Sequence, residues 1–259
     1  LFSHIPDNVK FDSSDFSVCR SLGYEEMLKH AESLASKNRV KTSFLGQGLP
    51  QYKVHELIPF VSSIRGLTTA YTPYQPERSQ GTLVTHWIYQ CALSALTGFE
   101  AINTSLYDRS AALFEAIACA IRTNPRGTRI LLAGSLFDED REVLDTLVRE
   151  TEIEFAIAPV NPASGCLDFS ALDSMGEEAT KGFAAFVFPQ VNKFGLLEKV
   201  DDLADFARER GMRSVACIDP MLLAGGGLKP PTEFGKEGVD FIAGEAQHLA
   251  IPPNTSVAH

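Results

Sequence analysis

The chain of 259 residues lacks clustered positive charge. It carries 23 Lys and Arg against 33 Asp and Glu, a net charge of −10, and its basic residues occur only as scattered pairs. Affinity for phosphate backbones comes from clustered Lys and Arg, so the composition excludes a nucleic-acid-binding protein. No apolar run approaches the roughly 20 residues needed to cross a bilayer. We therefore expect neither a nucleic-acid partner nor a membrane partner.

Paired cysteines and nucleotide-binding fingerprints are also missing. The five cysteines include no CxxC pair and have no His at ligand spacing, which argues against a disulfide scaffold and a structural metal site and favours a reducing cytoplasm. No glycine-rich segment has the GxGxxG or GxxxxGK[ST] spacing. The chain begins without Met and has no signal-like start, so we expect that residues are missing before Leu1.

Helical periodicity and strand-like runs alternate along most of the chain. Apolar residues at helical spacing predict helices over 22–37, 82–97, 111–122, 139–151, 169–175 and 200–210. Short apolar runs predict strands over 130–133, 153–158, 183–188, 214–218 and 239–243. This alternation is typical of the α/β class, with a mostly parallel sheet sandwiched by helices.

Ligands of such sheets bind at the carboxyl ends of the strands, where two side chains stand out. Asp219 directly follows a predicted strand. It could hold the protonated pyridine nitrogen of pyridoxal phosphate, or it could simply cap the turn that Asp-Pro opens. His248 follows the last predicted strand, where a structural histidine is the commoner outcome.

A polar loop over 69–81 precedes the second helix. It contains two prolines and two tyrosines, so it could present rigid aromatic and hydrogen-bonding groups beside a helix N-terminus, which favours anions. A surface loop held by its prolines is equally compatible with this composition.

Several motifs together carry a family resemblance. The segment YTPYQPERSQGTL at 71–83 resembles the signature of the glycine cleavage system P-protein, in particular its subunit 1 (alpha) type. The supporting blocks occur in the same order and span the chain: LFSHIPDNVKF at 1–11, FLGQG at 44–48, NTSLYD at 103–108, FGLLEKVDDLADFA at 194–207, DPMLLAGGGLKPPTEFG at 219–235 and GEAQHL at 244–249.

The resemblance implies a fold and a reaction. The fold is the large domain of type I pyridoxal-phosphate-dependent transferases over 69–259, preceded by a helical arm and an extended segment over 1–68. The reaction is decarboxylation of glycine, with transfer of its aminomethyl group to the lipoyl arm of the H-protein. The implied assembly is a heterotetramer with subunit 2 (beta).

The same resemblance implies that this chain is not the catalytic one. The family's Schiff-base lysine belongs to a His-Lys pair in subunit 2, and Gln247 and His248 stand at the matching positions here. Pyridoxal phosphate is therefore expected on the partner subunit and not covalently on this chain, which leaves Asp219, Gln247 and His248 as a vestigial cofactor pocket. The loop residues expected at the interface with the partner's active site are Tyr71, Thr72, Tyr74, Gln75, Glu77, Ser79 and Gln80.

The sequence departs from the family in a few places. The usual DGATA reads DRSAA, which puts Arg109 where a glycine is expected; the arginine could obstruct a ligand site or bind an anion itself. We also expect that the small C-terminal domain is absent. The alternative function is a free-standing relative that binds a small anion, or noncovalent pyridoxal phosphate without an internal aldimine. If this chain did form an internal aldimine, Lys229 would be the rival lysine.

Overall fold

The computed structural model describes residues 3–10, 21–42, 44, 55–104, 106–176, 180–247 and 249. The chain divides into two compact units, Leu1–Pro50 and Gln51–His259. In the first unit the described residues form a short 3-10 turn at Asp7–Val9 and helix α1 at Tyr24–Ala35. The predicted domain boundary at residue 69 stays a prediction.

The described part of the second unit contains one sheet of five strands. They are β1 (Arg129–Ala133), β2 (Glu154–Ala158), β3 (Phe183–Pro189), β4 (Arg213–Ile218) and β5 (Phe241–Gly244). The strands lie in the order β2-β1-β3-β4-β5, and every neighbouring pair is parallel. The predicted parallel α/β architecture is confirmed.

Helices precede, connect and cover the strands. The second unit contains α2 (Leu57–Ser62), α3 (Gln80–Thr97), α4 (Arg109–Thr123), α5 (Asp138–Val148), α6 (Phe169–Ser174) and α7 (Val200–Glu209). Helix α3 ends where predicted, because Gly98 adopts a left-handed conformation with φ of 81°. Within the described ranges, no helix is both long and apolar enough to cross a bilayer.

The core lies on both faces of the central strand β3. All seven residues of that strand are buried, as expected for a strand inside a parallel sheet that helices cover on both sides. The Phe186 ring packs against Phe188, at 5.3 Å between centroids, and against Phe206 of α7, at 5.8 Å. Helix α4 contributes Leu113 and Ile117, both with no exposed surface.

Strand order places a topological switch point between β1 and β3. The chain leaves β1 towards β2 on one side and returns to β3 on the other side of β1. Loops diverge at such a point, and open parallel sheets bind their ligands in the crevice that results. The segments that follow β1 and β3 flank this crevice, and those that follow β4 and β5 leave the same edge of the sheet.

Candidate functional site

The loop before α3 is folded back on itself by one buried side chain. The Ser79 side chain has no exposed surface, and its hydroxyl donates to the carbonyl oxygens of Thr72 at 3.2 Å and Gln75 at 2.8 Å. The side-chain amide of Gln80 donates to the Pro76 carbonyl at 2.5 Å. Two of the seven predicted interface residues, Ser79 and Gln80, therefore shape the loop with their side chains.

The glycine that closes this motif is required by a close backbone contact. A Cβ atom on Gly81 would lie 1.8 Å from the Gly66 carbonyl oxygen, so no side chain fits there. The Thr69 hydroxyl accepts hydrogen bonds from the backbone N–H groups of Gly81 at 3.2 Å and Thr82 at 3.4 Å. Thr69 thereby satisfies two donors at the start of α3.

The remaining loop residues point outward. The side chains of Tyr71 and Tyr74 are 103 % and 88 % exposed, and Glu77 is also exposed. The loop surrounds an open concavity of about 400 Å³ whose lining includes Tyr71, Thr72, Tyr74, Gln75 and Arg78. This concavity can receive a side chain or an anionic group from another molecule, with two aromatic rings and one guanidinium around it.

Asp219 lies at the carboxyl end of β4 and caps a short 3-10 turn, Pro220–Leu223. Its carboxylate accepts a hydrogen bond from the backbone N–H of Met221 at 2.9 Å, which is the turn-opening role that Asp-Pro predicts. Gln247 lies in a turn after β5 and is half-buried. His248 lies outside the described residues, so its predicted place beside Gln247 stays a prediction.

Arg109, at the start of α4, is fixed by a buried carboxylate on the next helix. Its Nε donates to both oxygens of Asp140, at 2.8 and 3.1 Å, and the Ser110 hydroxyl donates to the same carboxylate at 2.7 Å. The Asp140 side chain is only 1 % exposed. The Arg109 guanidinium also lies over the Phe137 ring, 4.6 Å from its centroid, which adds a cation–π contact.

The cavity at the carboxyl end of β4 is small, because the side chains of Arg109 and Phe137 lie beside it. Arg109 and Phe137 contribute to the lining of a cavity of about 120 Å³, beside Asp219 and Glu245, and Cys217 forms part of its wall. Burial raises the pKa of the Cys217 thiol to about 12, so this group is neutral at physiological pH. Burial alone would lower the pKa of Arg109, but the negative groups around it outweigh this and raise that pKa above its usual value.

The two lysines that follow strands are paired with carboxylates. Lys193 Nζ lies 2.8 Å from Asp138, and Lys229 forms an ion pair with Asp201. The Lys229 hydrogen bond lowers the pKa of Asp201. Neither lysine is among the described residues that line the 120 Å³ cavity, so the rival lysine is engaged elsewhere.

A buried asparagine fixes the loop that follows β3. The Asn192 side chain, with no exposed surface, accepts from the backbone N–H groups of Phe194 and Leu196 and donates to the Gly165 carbonyl and to Glu198 at 2.8 Å. We expect Asn192→Ala to lower the free energy of unfolding by about 2 kcal/mol, because it leaves buried polar groups without partners. Urea titration measures this loss.

Asn161→Ala is the matched control for that substitution. Its Oδ1 accepts from the backbone N–H of Ala163 at 2.9 Å in a solvent-accessible turn, so water can replace what is lost. We expect a loss below about 1 kcal/mol. Equal losses for the two variants would contradict the structural role assigned to Asn192.

Sequence reasoning identified Arg109 but missed its partners Phe137 and Asp140. Asp140 follows Asp138 and Glu139 in the first turn of α5, where acidic residues are favoured by the helix dipole in any case. The only available signal was the apolar Phe137 directly before this acidic run. That signal does not identify a contact with a residue almost thirty positions earlier.

Comparisons with known proteins agree with this architecture. Residues 1–255 match the family model described as glycine cleavage system P-protein. The chain is 38 % identical over 255 residues to a protein of Legionella pneumophila (strain Paris) named probable glycine dehydrogenase (decarboxylating) subunit 1, covering 97 % of this chain and 54 % of that protein. The chain thus spans about half the length of the curated relatives it matches.

Solved structures give the same result. The chain is similar to glycine decarboxylase (P-protein) of the glycine cleavage system in inhibitor-bound form, with 30 % identity, a TM-score of 0.78, and coverage of 97 % of this chain and 54 % of that one. It shares its fold with a sphingosine-1-phosphate lyase of Burkholderia pseudomallei, with 16 % identity, a TM-score of 0.63, and coverage of 95 % and 60 %. The fold is that of type I pyridoxal-phosphate enzymes, and the chain belongs to the glycine cleavage system P-protein family.

Proposed function

We propose that this chain is part of subunit 1 (alpha) of glycine dehydrogenase (decarboxylating). In this proposal it pairs with a subunit 2 that carries pyridoxal phosphate, and the pair decarboxylates glycine and transfers its aminomethyl group to the lipoyl arm of the H-protein. The observation that carries the proposal is the family match over residues 1–255. A cytoplasmic heterotetramer of both subunits is part of the same proposal.

The cleft at Asp219 does not fit pyridoxal phosphate. Its volume of about 120 Å³ is well below the roughly 300 Å³ at which small-molecule pockets begin, and no lysine is among the described residues that line it. We therefore place the cofactor on the partner subunit, where it supplies the electron sink for decarboxylation. The role proposed for this chain is to bind that subunit and to bring the 71–80 loop to its active site.

The polarity of α3 supports a partner. Over its first turns this helix exposes an apolar stripe of Val84, Trp87 and Ile88, with exposed fractions of 49 %, 66 % and 57 %. The side with Thr82 and Tyr89 is half-buried, and Thr82 Oγ1 and Tyr89 Oη have no hydrogen-bond partner among the described residues. A helix that faces only water has the opposite arrangement, so this stripe is a candidate surface for the partner subunit.

The alternative of a free-standing anion-binding relative is not favoured. Among the described residues, the lining of the cavity at Asp219 contains the carboxylates of Asp219 and Glu245 and one guanidinium, that of Arg109, which is already bound to Asp140. An incoming anion would meet negative charge at close range, in a partly buried site where water screens it less.

Reconstitution tests the proposed function. This chain, subunit 2 and their mixture are each incubated with lipoylated H-protein, pyridoxal phosphate and carboxyl-labelled glycine, and release of labelled carbon dioxide is measured. We expect release from the mixture, none from this chain alone, and little from subunit 2 alone. Full activity of this chain alone, or an unchanged rate of subunit 2 when this chain is added, would contradict the proposal.

Substitution on the α3 stripe tests where the partner binds. We expect Trp87→Glu to weaken association with subunit 2 by about 2 kcal/mol, roughly thirtyfold in Kd, because a charge would replace a large aromatic anchor. Analytical ultracentrifugation measures the Kd. Leu147→Glu is the control, since it changes a 42 % exposed apolar side chain on α5; equal Kd values for the two variants would remove α3 from the interface.

A further inference from the structure

We propose that the cavity of about 120 Å³ beside Asp219 is a guanidinium-binding site, and that the side chain of Arg109 from the same chain fills it. It lies at the carboxyl edge of the parallel sheet, where ligands of such sheets bind. With Arg109 in place, the cavity is too small for the cofactor that other enzymes of this fold hold. It rests on the proposed function only for the cofactor's place on the partner.

The Arg109 guanidinium is contacted both along one edge and on one flat face. Along one edge, Nε reaches both oxygens of Asp140, at 2.8 and 3.1 Å. On its flat face, the Phe137 ring lies 4.6 Å away. A planar, delocalised cation is the group that uses an acidic edge partner and an aromatic face partner at once, which a lysine ammonium cannot do.

The charges around the cleft select a cation. Asp140 is nearly fully buried, Glu139 Oε1 lies 3.8 Å from Arg109, and Asp219 and Glu245 complete the lining. Two of these carboxylates pair with the Arg109 guanidinium, and the other two lie in the lining of the same cavity. The chemical class that would replace the Arg109 side chain is therefore a small guanidinium, and the anionic ligand considered from the sequence is disfavoured.

Cys217 provides a reporter of whether the cleft is filled. Its side chain is 5 % exposed and forms part of the cavity wall beside Arg109, so an alkylating reagent reaches it only when the cleft opens. Cys91 is exposed, and Cys119 and Cys166 are half-buried. In the same digest these three cysteines distinguish local opening of the cleft from global unfolding, which would raise the reactivity of every protected thiol.

The experiment compares alkylation by iodoacetamide in the wild-type chain and in Arg109→Ala, with rates mapped by mass spectrometry. We expect Cys217 in the variant to react faster by on the order of tenfold or more, with little change at Cys119 and Cys166. Millimolar ethylguanidinium should return the Cys217 rate towards the wild-type value, and tetramethylammonium at equal ionic strength should not. Arg141→Ala is the control, because Arg141 pairs with Asp145 on the surface of α5.

Two further measurements keep the proposal testable if Arg109→Ala does not fold. Arg109→Lys keeps the charge but loses the planar group, so we expect Cys217 to react at an intermediate rate. The wild-type chain should give no saturable change in the absorbance of added pyridoxal phosphate. Alkylation of wild-type Cys217 as fast as Cys91, protection by both cations alike, or stoichiometric binding of pyridoxal phosphate would each overturn the proposal. Because no partner is used, either of the two alkylation results would leave the assignment to subunit 1 untouched, whereas stoichiometric binding of pyridoxal phosphate would also count against the cofactor's proposed place on the partner.

Discussion

Asp140→Ala is expected to lower the free energy of unfolding by about 3 kcal/mol. The substitution leaves the Arg109 guanidinium partly buried without the carboxylate whose two oxygens share the Nε–H, and it removes the acceptor of the Ser110 hydroxyl. Removing one partner of a buried ion pair is costly because the remaining charge stays out of water. The expected loss lies at the low end of the range for breaking a buried ion pair. Glu139 remains 3.8 Å from Arg109 and still offsets part of its charge.

Asp145→Ala is the control on the same helix. Asp145 also pairs with an arginine, Arg141, at 3.8 Å, but both side chains are about half exposed, at 53 % and 50 %. A surface pair of this kind contributes about 0.5 kcal/mol or less. Denaturant unfolding, monitored by circular dichroism, measures both variants. Losses of similar size would mean that the Arg109–Asp140 pair behaves as a surface pair.

Phe186→Ala is expected to destabilise the chain most, by about 4 kcal/mol. The Phe186 ring is fully buried at the centre of β3 and packs against Phe188 and Phe206. Truncation therefore removes apolar contacts with both of these rings and leaves a cavity that neighbouring side chains fill poorly. The expected loss is large enough to unfold a marginally stable domain.

Phe194→Ala is the control for Phe186→Ala, because it truncates the same residue type at an exposed position. The Phe194 side chain is 56 % exposed in the loop after β3, so its truncation should cost below about 1 kcal/mol. Thermal unfolding of the two variants under one set of conditions measures the difference. If Phe194→Ala proved as costly as Phe186→Ala, the placement of the core on β3 would be wrong.

The sheet and the helices could be predicted from the sequence because each has a local signal. The uninterrupted apolar run at 183–188 indicates a strand that is buried on both faces, and β3 is that strand. Gly98 marks the end of α3, where its positive φ requires a residue without a side chain. The start of β5 was predicted two residues early, because Val239 was counted with the apolar run although neither it nor Asp240 joins the ladder.

The site was harder to predict because its contacts are distant along the chain. Arg109 is conspicuous in the sequence, but its partner lies 31 residues away on a helix whose acidic start is ordinary. For Asp219 the sequence left two roles open, and the hydrogen bond from Met221 is local enough that a turn signal predicted it. The periodicity of α3 indicates an apolar stripe, but periodicity alone does not say which way that stripe faces.

Reductive trapping tests the central claim, that this chain is a subunit without a cofactor of its own. This chain and subunit 2 are mixed with pyridoxal phosphate, treated with borohydride, digested, and searched by mass spectrometry for pyridoxyl-lysine. The account predicts that the adduct forms on subunit 2 alone, and that this chain carries none with or without its partner. Stoichiometric modification of Lys229, or of another single lysine of this chain, would contradict it.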